Sequence, residues 1–268
     1  MKNCFSIPLP ETFNLSLCLD CGQAFRWQND GTKWFGVAFG KYITIEQTEA
    51  ELIFYNSTED DFNNIWKNYF DLDCDYTKII SEYDDNYLKQ AVKEYNGIRI
   101  LHQEPWEALC SFIISQNNNI PRISAIVERL CTLFGEERNG CFAFPAPERI
   151  AQLSAEDLAP LRCGYRAPYI IDAAQKLASG EISEQRIRTL PTEEARKELL
   201  RIKGVGPKVA DCVLLFGAGH TDAFPQDVWI KRAMAQYFPN GLPACAAPYA
   251  GLAQQYIFHY ARTEGHFE

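Results

Sequence analysis

Between Leu199 and Arg232 the chain reads LLRIKGVGPKVADCVLLFGAGHTDAFPQDVWIKR, in which Gly204-Val205-Gly206 separates two segments of helical apolar spacing. No other stretch narrows the possible folds as much. Two glycines one residue apart allow positive φ and expose bare backbone amides, and Pro207 suits the first turn of a helix, so a tight helical hairpin is predicted over 199–216. Val209, Val213 and Phe216 fall at i, i+4 and i+7 and form a buried stripe, whereas Lys208, Asp211 and Cys212 are predicted to project from another face. The amides around Gly204 and Gly206 can hold a phosphate, and Lys208 stands beside them at a helix start. A loop over 221–228 then presents Asp227, whose ordinary role there is a helix N-cap.

The composition suits a globular chain: 268 residues, 47% hydrophobic and 23% charged, enough for one large core or two moderate ones. No run reaches the ~18 apolar residues of a membrane span. The opening residues lack the apolar core of a signal peptide, so a chain of the cytoplasm is expected, nucleoid-associated in a bacterium and nuclear in a eukaryote, with no membrane partner. Ten cysteines are scattered along the chain, a pattern of buried reduced thiols and not of a disulfide framework. Cys18-x-x-Cys21 is the close pair, and it lacks the second pair or nearby His of a metal site. The net charge of −9 argues against indiscriminate nucleic-acid binding, but the charge is uneven. Residues 1–100 hold nine Lys and Arg against sixteen Asp and Glu, while 196–232 holds seven basic residues against Glu198, Asp211, Asp222 and Asp227. The local basic excess permits phosphate contact.

Read in order, FRW, WFGVAFGKYITIEQ and ELIFYN between Phe13 and Tyr55 have strand character, with turn signals at Asn29-Asp30-Gly31 and Gly40-Lys41. Thr58 caps a helix to Tyr69 that packs on the sheet, and Asp71, Asp73, Asp75, Asp84 and Asp85 form a solvated flank. From Pro105 the pattern is helical: PWEALCSFIISQ, RISAIVERLCTLF, a Gly- and Pro-rich loop through Pro147, short helices around 154–161 and 167–179, one over 192–202, and a last one after Pro248. Strands first and helices after predict an α+β chain, with a small antiparallel sheet domain over 1–103 and a mainly helical domain over 104–268.

The hairpin GVGPKVADC followed by Asp227 resembles the helix-hairpin-helix DNA glycosylases, specifically the 8-oxoguanine DNA glycosylases. GQAFRW (Gly22 to Trp27), SQNNNIPRI (Ser115 to Ile123), CGYRAPYI (Cys163 to Ile170) and YAGLAQQYIF (Tyr249 to Phe258) resemble that family's blocks in the same order. The resemblance implies a base-excision DNA repair enzyme, both glycosylase and abasic-site lyase, in which the Lys208 amine attacks C1′ and forms a Schiff base. Its placement at a helix start, partly desolvated, favours the neutral amine that attack requires. Asp227 is implied as the carboxylate that stabilises charge developing on the sugar. Asp211 competes for that role, but its spacing suits the helix surface.

Such an enzyme must extrude its base, so a pocket and a wedge are needed. By resemblance Phe258 stacks on the purine, Gln254 bonds its pairing edge, Cys212 packs the opposite face and the Gly22 carbonyl accepts the N7 hydrogen. Asn117 enters the vacated stack, Tyr165 wedges beside it, and Arg122 and Arg166 read the opposite cytosine. Gly204, Gly206, Val209 and Trp229 complete the DNA-facing set, with Trp229 where some members carry a histidine. The implied partner is double-stranded DNA containing an oxidised purine, bound by a monomer, with no metal or organic cofactor. A same-fold glycosylase for another lesion and a non-catalytic hairpin module are the rival readings, and the second would need neither Asp227 nor a base pocket.

Overall fold

A computed structural model of the chain describes residues 4–138 and 140–263. Its first layer is a five-stranded antiparallel sheet in the order β1-β5-β4-β3-β2, formed by β1 (Cys4–Pro8), β2 (Gln28–Asn29), β3 (Trp34–Ala38), β4 (Lys41–Gln47) and β5 (Glu51–Tyr55). The inner face follows the two-residue period: Ile43 and Ile45 of β4 and Leu52 and Phe54 of β5 are all fully buried. A short helix, α1 (Leu15–Leu19), interrupts the first two strands, with Asn14 as its N-cap. FRW is not a strand. Phe25 points into the helical core and the strand begins only at Gln28, because a buried network around Gln23 holds this segment in an irregular path. β1 was hidden in the sequence by its proline and short length.

The predicted helix over 58–69 is present as α2, which runs α-helical over Glu59–Asp61, π-helical over Phe62–Trp66 and α-helical again over Lys67–Tyr69. Thr58 and Asp61 form a reciprocal capping box at its start. Phe62, Trp66, Tyr69 and Phe70 pack with Phe54 and the strand residues to make the smaller core. Burying a side chain of the size of Phe54 contributes roughly 1.5–3 kcal/mol.

The larger core is helical. It gathers α3 (Tyr76–Ser81), α4 (Asn86–Glu94), α5 (Pro105–Ser115) and α6 (Ile120–Phe134), then α7 (Pro147–Ile150), α8 (Ala167–Ala178), α9 (Glu184–Thr189) and α10 (Thr192–Leu199). The hairpin leads into α11 (Pro207–Val213), which continues as a π-helical turn over Leu214–Ala218, and α12 (Val228–Tyr237) and α13 (Ala250–Thr263) close the set. Residues 154–161 form turns and one 3-10 turn, not the predicted helix: Ser154 and Asp157 exchange the reciprocal bonds of a helix start, but Pro160 has no amide to continue it. Tyr76, Leu88, Ala91 and Ile98 belong to the helical core, although they precede the strand-to-helix switch in the sequence. The acidic flank is partly structural: Asp75 and Asp85 are N-caps, and Asp71 accepts the Tyr76 hydroxyl at 2.9 Å. All ten cysteines are free thiols.

Candidate active site

The hairpin forms where α10 hands over to α11. Gly204 sits at φ +77°, and Gly206 is the N-cap of α11 with no side-chain cap of its own. The amides of Lys208 and Val209 therefore fall in a first turn that no intrahelical carbonyl reaches. The Val209 side chain is buried in the core stripe with Val213 and Phe216, so only its backbone is left to contact anything outside the core.

Lys208 projects into a cleft of about 1050 Å³ lined also by Asp227, Gly22, Asn117, Trp229 and Phe258, which brings together segments nearly 240 residues apart in sequence. Its Nζ donates to Ser115 Oγ at 3.4 Å and lies 5.2 Å from the centroid of the Phe112 ring. Lys208 is half-buried and makes no ion pair among the described residues. Asp227 is the N-cap of α12: its Oδ1 accepts the Ile230 amide at 2.8 Å, and the half-buried carboxylate lines the same cleft. Capping uses one carboxylate oxygen and leaves the side chain on the cleft.

Gly22 borders the cleft at φ +78°, and its carbonyl accepts no hydrogen bond among the described residues. Its position is held from behind. The fully buried Gln23 donates to the Arg99 carbonyl at 2.7 Å and accepts the Leu101 amide at 2.9 Å, and its own carbonyl accepts from Gln103 at 2.8 Å. Phe258 is half-buried, with the Arg262 guanidinium 5.7 Å from its ring centroid. Asn117 is exposed at φ +48°, a region asparagine tolerates better than most residues, and its Nδ2 donates to the Tyr165 hydroxyl at 3.3 Å.

Other members of the expected set stand back from the lining. Cys212 and Gln254 are buried one helical turn behind Lys208 and Phe258, and the Gln254 Oε1 accepts from Gln255 at 2.8 Å. Burial pushes the Cys212 thiol up to about 11, against the opposing pull of Lys208. Arg122 is exposed on the first turn of α6, and Tyr165 is half exposed. Arg166 departs from its expected position. It is 3% exposed, and its guanidinium donates to the carbonyls of Gln116, Asn117 and Cys163, so in this arrangement it pins the asparagine turn and presents no free edge to a base. Asp211 is likewise not on the helix surface. It is buried and accepts from Arg196 Nε at 2.6 Å; burial raises its carboxyl and Arg196 opposes that shift.

Sequence reading passed over Phe112 and Ser115 as cleft residues. They lie three apart on α5, a spacing that places them on one face, but nothing in the sequence showed which face meets Lys208. It also passed over Lys231 and Arg262, which add positive charge to the cleft lining. No described residues gather three or more His, Cys, Asp or Glu in a metal-binding group, and no described helix is long and apolar enough to cross a membrane.

Two family models divide the chain between them: the 8-oxoguanine DNA glycosylase N-terminal domain matches residues 6–109, and the HhH-GPD superfamily of base excision DNA repair proteins matches 110–241. The probable N-glycosylase/DNA lyase of Methanothermobacter thermautotrophicus is 32% identical over 230 residues, 73% of each chain. Among solved structures, MBOgg1 in complex with a low-affinity DNA ligand is 40% identical with a TM-score of 0.91 over 99% of both chains. The Clostridium acetobutylicum 8-oxoguanine glycosylase/lyase, bound to double-stranded DNA with cytosine opposite 8-oxoG, is 35% identical with a TM-score of 0.90, covering 99% of this chain and 98% of that one.

Proposed function

The chain belongs to the 8-oxoguanine DNA glycosylases of the HhH-GPD superfamily and is a DNA glycosylase and abasic-site lyase, and from that premise we propose that it excises 8-oxoguanine paired with cytosine through a Schiff base on Lys208. The observation that carries the proposal is the meeting of Lys208, Asp227, Gly22 and Phe258 around one cleft large enough for a nucleotide. A hairpin that only held phosphate would need neither a carboxylate beside its lysine nor a cavity.

The chemistry runs in three steps. With the base extruded into the cleft, the Lys208 lone pair forms a bond to C1′ as the bond from C1′ to the base breaks, and the base leaves with the electron pair and takes up a proton. The nitrogen then loses a proton and opens the sugar, forming the C=N bond of the Schiff base while O4′ is protonated. Loss of a C2′ proton finally drives β-elimination, in which the C3′–O bond breaks and the 3′ phosphate departs. Asp227 acts by charge: a carboxylate near C1′ stabilises the positive sugar as the base leaves. Phe258 offers a ring face to the base and the Gly22 carbonyl an acceptor for the N7 hydrogen that guanine lacks. Asn117 enters the space the base vacates with Tyr165 as the wedge beside the orphan base, and Arg122, exposed on the first turn of α6, reads the opposite cytosine. The protein acts as a monomer on this reading.

A duplex with a single 8-oxoguanine opposite cytosine, treated with borohydride, tests the mechanism. Hydride adds to the C=N carbon and fixes the adduct. The native protein should trap and Lys208→Gln should not, with excision falling by at least about 10³-fold, the scale expected for loss of a covalent nucleophile. No adduct with the native protein would sink the mechanism. Repeating the assay against each opposite base tests the cytosine preference, and equal rates for all four would refute it.

A further inference from the structure

The Lys208 amine has partners on the cleft wall that the three reaction steps do not use. Ser115 and Phe112 stand about one turn apart on α5, and both line the cleft. Phe112 is 3% exposed, stacked on Phe216 at 5.4 Å and met edge-on by Phe25 at 5.7 Å, so its ring cannot swing away from the lysine. The Ser115 hydroxyl donates to the Phe112 carbonyl at 2.8 Å. A hydroxyl has one proton to give and two lone pairs to offer, so toward Lys208, at 3.4 Å, it can only accept.

That restriction bears on nucleophilicity. A neutral primary amine has two N–H bonds and one lone pair. A partner that donated to it would occupy the lone pair, whereas an acceptor takes one N–H and leaves the lone pair for an electrophile. We infer that Ser115 is a positioning residue for the Lys208 amine: its acceptor-only hydroxyl, with the Phe112 ring, holds Nζ at the cleft wall and leaves the lone pair turned toward C1′ of an extruded nucleotide. The inference rests on Lys208 being the nucleophile. The immobile Phe112 ring beside Nζ narrows the positions the amine can take, so it stays at the cleft wall.

The test uses the full chain as native protein, Ser115→Ala and Ser115→Thr, each assayed below its unfolding transition. The substrate is a duplex carrying a preformed abasic site, which removes base recognition from the measurement. Two quantities are read: the single-turnover rate of borohydride-trapped adduct, and the Kd for a duplex carrying a reduced, unreactive abasic analogue. Ser115→Ala should trap about tenfold more slowly, the effect of one lost hydrogen bond expressed in the transition state, with Kd within about twofold of native. Ser115→Thr keeps a hydroxyl that can bond the carbonyl one turn back and should recover most of the rate. Native-like trapping by Ser115→Ala, or a threonine variant as slow as the alanine variant at unchanged Kd, overturns the inference. Absence of an adduct with the native protein overturns the lysine mechanism itself, so the two failures are distinguishable.

Discussion

At Gly204 the backbone turns through φ +77°, and the ring of Tyr169 lies where a β-carbon would stand, with its Cδ2 only 2.2 Å away. Alanine there meets two penalties, since left-handed backbone costs an L-residue roughly 1–2 kcal/mol and the Tyr169 ring must be displaced as well. Gly206, two residues on, has an extended backbone and open space around its missing side chain. Gly204→Ala should therefore lose about 3 kcal/mol or more in urea unfolding, whereas Gly206→Ala should change stability by less than about 1 kcal/mol. Equal losses at the two positions would mean that the hairpin, and not the contact with α8, sets the requirement for glycine. The two glycines look alike in the sequence because the partner that distinguishes them, Tyr169, is 35 residues away.

Among the elements, the turn between α5 and α6 shows how one buried cation can hold an irregular segment. Three asparagines cannot extend a helix well, so the carbonyls of Gln116 and Asn117 at the end of α5 find no amide donor from a following turn. Arg166 reaches them from the start of α8, with Cys163 as a further acceptor. Arg166→Met should destabilise the protein by about 2–4 kcal/mol and lower DNA cleavage opposite every base alike, because the turn bearing Asn117 loses its support. A selective loss of cytosine preference with native stability would restore a direct reading role to this arginine. The main helices of this region, α5 and α6, were legible from apolar spacing and Pro105; α3 and α4 were passed over although Ile79, Ile80 and Tyr83, and Leu88, Ala91 and Val92, recur at helical spacing, because the interspersed aspartates read as solvated surface until Asp75 and Asp85 are seen as caps. In the cleft, Lys208 and Asp227 were legible from their place at helix starts together with the family resemblance. The burial of Arg166 and Asp211 was not, since a charged residue reads as surface until its buried partner is known.

Across the whole molecule, the sheet layer and the helical layer meet at α5, and the contact includes a buried ion pair. Arg26, from the segment that follows Gly22, lies 3.5 Å from Glu107 of α5, with side-chain exposures of 6% and 11%. Arg26 also donates to the Phe142 carbonyl, while its Nε and Nη1 have no hydrogen-bond partner. So loose a contact does not repay the removal of the carboxylate from water, and burial raises Glu107 to about 7 despite the arginine. Glu107 therefore binds its proton more tightly in the folded chain than in the unfolded one, where an ordinary glutamate titrates near 4.5. Folding is favoured at low pH by this group, and that contribution is lost as pH rises from about 4.5 to about 7, with no further change above. The size is on the order of 3 kcal/mol, since each tenfold difference in proton affinity between the two states is worth about 1.36 kcal/mol. Urea unfolding near pH 5 and near pH 7.5 measures it: the native protein should lose more stability over that interval than Glu107→Gln, which has no proton to release. Parallel losses in the two proteins would show that Glu107 is already charged at the lower pH, and that Arg26 holds the two layers together as a fully formed pair.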